Sequence, residues 1–183
     1  DFARRRLSHN SIRHERVVAH AYYDEGGDYT LLARVDCAND GNLPVRELRD
    51  LRDGYLAPPA GLSIKATAVD SPTGRTIAIK PSPPYLPTPQ QYVLGGVVVT
   101  VYRYDFLAEL APPLQAHERM QYALQITAPG AAKQAFSDSG DVFAWSTVYE
   151  TTELLLAVHA PPGFKVTMLG WFVADENGSE LGK

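Results

Sequence analysis

Apolar residues recur at every second position over much of this chain. Few patterns restrict a fold more, because successive side chains of a strand point to opposite faces. In Leu62 to Val69, Leu62, Ile64, Ala66 and Ala68 fall on one side while Ser63, Lys65 and Thr67 fall on the other. Glu118 to Thr127 repeats the pattern, with Met120, Tyr122, Leu124 and Ile126 opposed by Arg119, Gln121, Gln125 and Thr127. Both segments read as strands with one wet face. The run Val97, Val98, Val99, Thr100, Val101, Tyr102 is apolar on both faces and rich in β-branched residues. It predicts a strand that is central in its sheet or covered on two sides. Glu15 to Tyr23, Asp28 to Asp36, Arg75 to Lys80, Asp141 to Tyr149, Thr152 to Ala160 and Phe164 to Ala174 are predicted as further strands, about nine in all.

The turns between them have their own chemistry. Glu25-Gly26-Gly27-Asp28 and Pro72-Thr73-Gly74 supply positive φ at little cost and predict hairpins, hence pairing between sequence neighbours. Pro81 to Pro89 holds five prolines in nine residues, which excludes a helix or a central strand and sends the chain over the surface or along an edge. Pro58-Pro59, Pro112-Pro113 and Pro161-Pro162 mark rims. Helical spacing is scarce: Val45, Leu48 and Leu51 predict about two turns over Val45 to Arg52, and Asp105 to Leu110 one more. Short strands with few helices select an all-β, antiparallel two-sheet sandwich, immunoglobulin-like or jelly-roll, over an α/β fold.

Composition narrows the function. A chain of 183 residues, 45% hydrophobic and 21% charged, is too apolar for disorder and long enough for one core. No composition break divides it, so 15–183 reads as one domain preceded by a basic tail, 1–14, with Arg4, Arg5, Arg6 and Arg13. The net charge of −4 gives no general attraction to nucleic acid or anionic lipid, so neither is expected as partner. Cys37 is the one cysteine, no intramolecular disulfide can form, and a reducing, cytoplasmic compartment is the simplest expectation. No apolar run is long enough to span a membrane, and the opening residues lack the apolar core of a signal peptide. The chain opens on Asp1, as a processed product or a piece of a longer protein would.

Among candidate sites, Asp36 to Glu47 resembles the calcium loop of EF-hand proteins, with Asp36, Asp40, Asn42 and Glu47 as oxygen donors, Gly41 at the turn and Leu43 at the apolar position. Ala38 stands where a carboxylate is needed, and no second loop is present. The competing reading is a strand ending at Asp36, a turn and a short helix. His9, His14 and His20, at intervals of five and six, do not converge as zinc ligands do. His117-Glu118 beside Arg119 offers an acid–base pair but reads more simply as rim charge. Cys37 as a nucleophile would need a nearby cation or a helix N-terminus to lower its pKa, and its neighbour Asp36 pushes the other way, so a small, partly buried role is expected. No nucleophile elbow, phosphate loop or dinucleotide fingerprint is present, so no catalytic residue and no cofactor are expected. Tyr102 and Tyr104 share a strand face, and Trp145 and Trp171 lie on separate segments. These four form either core or an aromatic platform for a sugar or peptide, and a sandwich's need for bulky inward residues favours core.

The order of features from Val17 to Phe164 resembles that of the β-sandwich accessory domains of bacterial multidomain proteins. It comprises the turn at Gly26-Gly27, then Asn39-Asp40-Gly41-Asn42-Leu43-Pro44-Val45, then Val69-Asp70-Ser71-Pro72-Thr73-Gly74-Arg75. Leu110-Ala111-Pro112-Pro113-Leu114 and Leu154-Leu155-Leu156 before Pro161-Pro162-Gly163-Phe164 complete it. The resemblance implies a non-catalytic protein-interaction or sensor module that docks another protein or a module of the same polypeptide, and it carries no site residue with it. Self-association through an edge strand is a further option. The loops Asp36 to Tyr55 and Lys80 to Gln91 are the expected recognition surface. A small-ligand or carbohydrate-binding sandwich using the aromatic platform is the second reading, and calcium binding at 36–47 the third.

Overall fold

In a computed structural model, residues 11–55, 59, 61–69, 73–81, 88–94, 97–133, 149–164, 173–174 and 180–182 are described. The described residues are nearly all strand, in the order β1 (Ile12–Tyr23), β2 (Tyr29–Asn39), β3 (Val45–Tyr55), β4 (Ser63–Val69), β5 (Thr76–Pro81), β6 (Thr88–Leu94), β7 (Val97–Leu114), β8 (Arg119–Ala128), β9 (Glu150–His159), β10 (Val173–Ala174) and β11 (Glu180–Gly182). None of the described helical turns is long and apolar enough to cross a membrane.

A five-stranded sheet has the order β4-β8-β2-β1-β9, antiparallel except where β9 runs parallel to β1. Its register follows from the alternation in the sequence. Ala19, Ala33, Leu124 and Ala66 form one row across four strands, and Ala21, Leu31, Ile126 and Ile64 form the next. A slip of one residue in any of these strands would carry its apolar set to the wet face. In the second sheet β7 pairs with β3 on one side and with β5 and β6 on the other. One buried cluster draws on both sheets, joining Val17, Val35, Leu124 and Ile126 to Leu48, Phe106, Leu110 and Leu114. At ~25 cal/mol per Å² of apolar area buried, a shared core of this kind is the main favourable term in the fold.

Several expectations are corrected. Val45 to Arg52 is strand, not helix, because β3 carries irregularities between Val45 and Glu47 and between Leu48 and Leu51. Asp105 to Leu110 is likewise strand, with Phe106, Ala108 and Leu110 buried at period two. Pairing is mostly not between sequence neighbours: Pro72-Thr73-Gly74 joins β4 in one sheet to β5 in the other instead of turning a hairpin. The Gly26-Gly27 turn does form one, between β1 and β2, with Gly27 at φ 82° and a Cβ there reaching within 2.7 Å of Lys133. The valine run opens β7, the central strand of its sheet, which is one of the two alternatives expected; it is not covered on both faces, since Val98 is 62% exposed. Pro112-Pro113 lies within the last three residues of β7, at its rim, and Pro89 lies in β6, which pairs only with β7 among the described strands and so runs along an edge, as the prolines require. β1 begins at Ile12, inside the segment read as tail. Of the Asp141 to Tyr149 strand only Tyr149 is among the described residues, and of Phe164 to Ala174 only Phe164, Val173 and Ala174.

Candidate functional site at the β9 edge

β9 is the last strand of its sheet, and no described strand pairs with its outer side. Its sequence alternates poorly: Leu154, Leu155 and Leu156 are 42%, 44% and 45% exposed. Register with β1 assigns their faces. Leu154 and Leu156 lie beside Val17 and Ala19 of the core row, and Leu155 beside Val18 on the opposite face. That opposite face continues through Leu32 and Tyr22, both exposed, so the apolar strip wraps the edge.

Above the strip sit two imidazoles. His20 Nδ1 and His159 Nε2 are 3.0 Å apart, and one donates while the other accepts. The Tyr22 ring stacks on His159 at 4.3 Å and 8° from parallel. This arrangement depends on a bulge between His14 and Arg16 in β1, where the register against β2 shifts. Upstream of it His14 is turned into the core, and downstream Val17, Ala19 and Ala21 take the inner face, leaving His20 and Tyr22 outside.

His14 has the opposite environment. It is buried, neither ring nitrogen has a hydrogen-bond partner, and its ring meets Tyr149 edge-on at 4.9 Å. Burial disfavours the imidazolium and lowers its pKa to about 4. Cys37, its register partner in β2, is also buried. Burial is the chief cause that raises the thiol to about 12, opposed by the charge of Arg75 and reinforced by that of Asp36. Neither group is placed for nucleophilic work.

At the far end of the core, Arg75 is buried and donates from Nε to Pro112 O at 2.9 Å and from Nη2 to Pro113 O at 3.1 Å. Its Nη2 also reaches both carboxylate oxygens of Glu118, at 2.9 and 2.8 Å. Partial burial works to raise the Glu118 pKa, but the Gln115 N–H at 2.7 Å and the Arg75 guanidinium outweigh it and hold the carboxyl below its ordinary range. Arg75, just before β5, thus ties the end of β7 to Glu118, just before β8.

Of the residues singled out from sequence, Asp36 lies in β2 and accepts from Gln121, while Glu47 lies in β3 of the other sheet. The elements flanking the 36–47 loop are strands, whereas an EF-hand has helices there. Asp40 is bound by Arg13 at 2.8 Å, and that hydrogen bond is the largest cause of its lowered pKa. Asn42 is exposed in the turn. Asn39, read from the sequence only as part of the turn segment, is fully buried and organises this loop: it donates to Leu43 O and Gln115 O and accepts from the Gly41 N–H. Tyr102 and Tyr104 are half-buried on the parity of Phe106, Ala108 and Leu110, and Tyr104 packs against the core. Trp145 and Trp171 lie outside the described residues. Among the described residues no three His, Cys, Asp or Glu side chains converge on a metal position. The His20–His159 pair escapes a reading of histidine spacing because the two residues lie 139 apart and the parallel β1–β9 pairing that joins them is not visible in any local pattern. No family model, curated protein or solved structure matches this chain.

Proposed function

We propose that this chain is a non-catalytic β-sandwich interaction module that receives an extended strand of a partner protein along the outer side of β9. The single observation that carries the reading is the exposure of three consecutive leucines on a strand at the end of its sheet. Edge strands present unpaired N–H and C=O groups, and proteins ordinarily blunt them with lysine, proline or a bulge. From Leu154 to Ala157 β9 has none of these; Glu153, just before, is engaged by Arg16 at 3.0 Å. Strand addition would satisfy the backbone while alternate side chains of the incoming segment meet Leu154 and Leu156 on one face and Leu155 on the other. The sandwich itself is supported by the cluster shared between the two sheets. Service as a sensor within a larger bacterial assembly in a reducing compartment is the broader form of this reading.

A photo-crosslinking residue at Leu155, compared with one at Lys65 on the strand at the opposite edge, tests the proposal in cells. A discrete adduct from position 155 that Leu154→Lys abolishes is the expected result. Equal labelling from both positions would overturn it, and an adduct of twice the chain's own mass would identify a second copy as the occupant.

A further inference from the structure

We propose that His20 and His159 form a two-imidazole chelating site for a late first-row divalent cation, Cu²⁺ above all. The facing nitrogens are 3.0 Å apart. Two nitrogens bound cis to one metal at the usual 2.0–2.1 Å lie about 2.9 Å apart when the angle at the metal is a right angle, the tetragonal arrangement that Cu²⁺ adopts with nitrogen and oxygen ligands. A tetrahedral ion would spread them to roughly 3.4 Å, so the separation suits Cu²⁺ better than Zn²⁺. In the absence of metal one facing nitrogen carries the proton of the N–H···N bond. On binding, that proton moves to the other nitrogen of the same ring, and both facing nitrogens become neutral donors with no net change in protonation. With the His159 ring held against Tyr22, a turn of the half-buried His20 ring about its Cβ–Cγ bond brings the two lone pairs toward a common point.

The surroundings favour such a site. Tyr22 stacks on His159 and reduces the freedom its ring must lose on binding. Directly in register with the pair stand Leu32, Ala157 and Thr30, none of which is charged, and Arg34, the next residue on that face of β2, is engaged by Gln121. His159 is exposed, which leaves the remaining coordination positions to water. The proposal is independent of strand addition at β9, because it uses the outer face of the sheet and not the edge groups.

Titration of the full chain with CuCl₂ alone, by calorimetry and by electron paramagnetic resonance, tests it. The expected result is one Cu²⁺ per chain with hyperfine coupling to two nitrogens, weakened at least tenfold by His20→Ala or by His159→Ala and unchanged by Tyr22→Phe. Wild-type affinity no greater than that of the two alanine variants would overturn it. Should an alanine variant fold poorly, imidazole NMR signals of the wild type under trace Cu²⁺ decide the matter. Broadening of His20 and His159 before His117 supports the site, and broadening of His117 first refutes it.

Discussion

A single imidazole shows how the context of one residue sets the pH response of the chain. His14 is buried with neither nitrogen satisfied, and its protonation midpoint falls from an ordinary 6.5 to about 4. Above pH 6.5 it is neutral folded or unfolded, and its effect on stability is constant. As pH falls through 6.5 the unfolded chain takes up the proton first, so stability is lost progressively until about pH 4, where the folded form is protonated as well. The full gap amounts to ~3 kcal/mol, of which roughly 2 kcal/mol is lost by pH 5. Urea midpoints at pH 7 and pH 5 measure this directly; His14→Leu should be no less stable at pH 7 and should flatten the difference. A second prediction at this scale concerns Arg75 and Glu118. Arg75→Ala removes the guanidinium from Glu118, Pro112 O and Pro113 O, leaving Glu118 only the Gln115 N–H and Pro113 O only the Gln115 side chain, and should cost roughly 3–5 kcal/mol. Arg75→Met combined with Glu118→Gln should cost less than the sum of the two single changes, by about 1 kcal/mol or more in a double-mutant cycle on denaturation midpoints. Nothing in the sequence around Glu118 reveals this: its partner lies 43 residues away, and His117-Glu118-Arg119 reads as rim charge until the two strand ends are brought together.

At the scale of elements, legibility follows the regularity of the pleat. β4 and β8 were read almost to the residue because neither contains a bulge, so apolar side chains keep strict period two against a single core face. β3 was misread because two irregularities each displace the alternation, leaving Val45, Leu48 and Leu51 spaced by three as in a helix. The helical turn assigned to Asp105–Leu110 failed for another reason: Leu107 on the opposite face hid the buried set Phe106, Ala108 and Leu110. β9 was placed correctly, yet its position at the end of a sheet, which gives Leu154 to Leu156 their meaning, rests on a parallel pairing with β1 across the length of the chain. The same position permits a prediction. Leu155 is half-exposed and contributes little to the core, so Leu155→Lys should change the unfolding free energy by no more than about 0.5 kcal/mol. It should nevertheless abolish edge association, because a lysine on the edge is a barrier to strand addition. Chemical denaturation and sedimentation velocity on the same samples separate the two effects.

For the whole molecule, the question is whether two sheets linked by few local contacts behave as one cooperative unit. Topology was the least legible feature, since glycine turns indicated sequential hairpins whereas the chain crosses between sheets from β2 to β3, β3 to β4 and β4 to β5. What joins the sheets is the shared apolar cluster, in which Leu48 of one sheet and Val17, Val35 and Cys37 of the other are all essentially inaccessible. Cys37 provides a probe of this coupling. Its thiol is buried and held at a pKa of about 12, so an alkylating reagent can reach a thiolate only when the five-stranded sheet opens. Leu48→Ala removes packing from the four-stranded sheet at a cost of ~3 kcal/mol. If both sheets open together, the same free energy appears in the opening that exposes Cys37, and its labelling rate rises about a hundredfold, since each 1.4 kcal/mol is a factor of ten. Labelling at the wild-type rate in Leu48→Ala would mean that the sheets open separately, whereas Val35→Ala, within the sheet of Cys37 itself, accelerates labelling in either case and calibrates the assay.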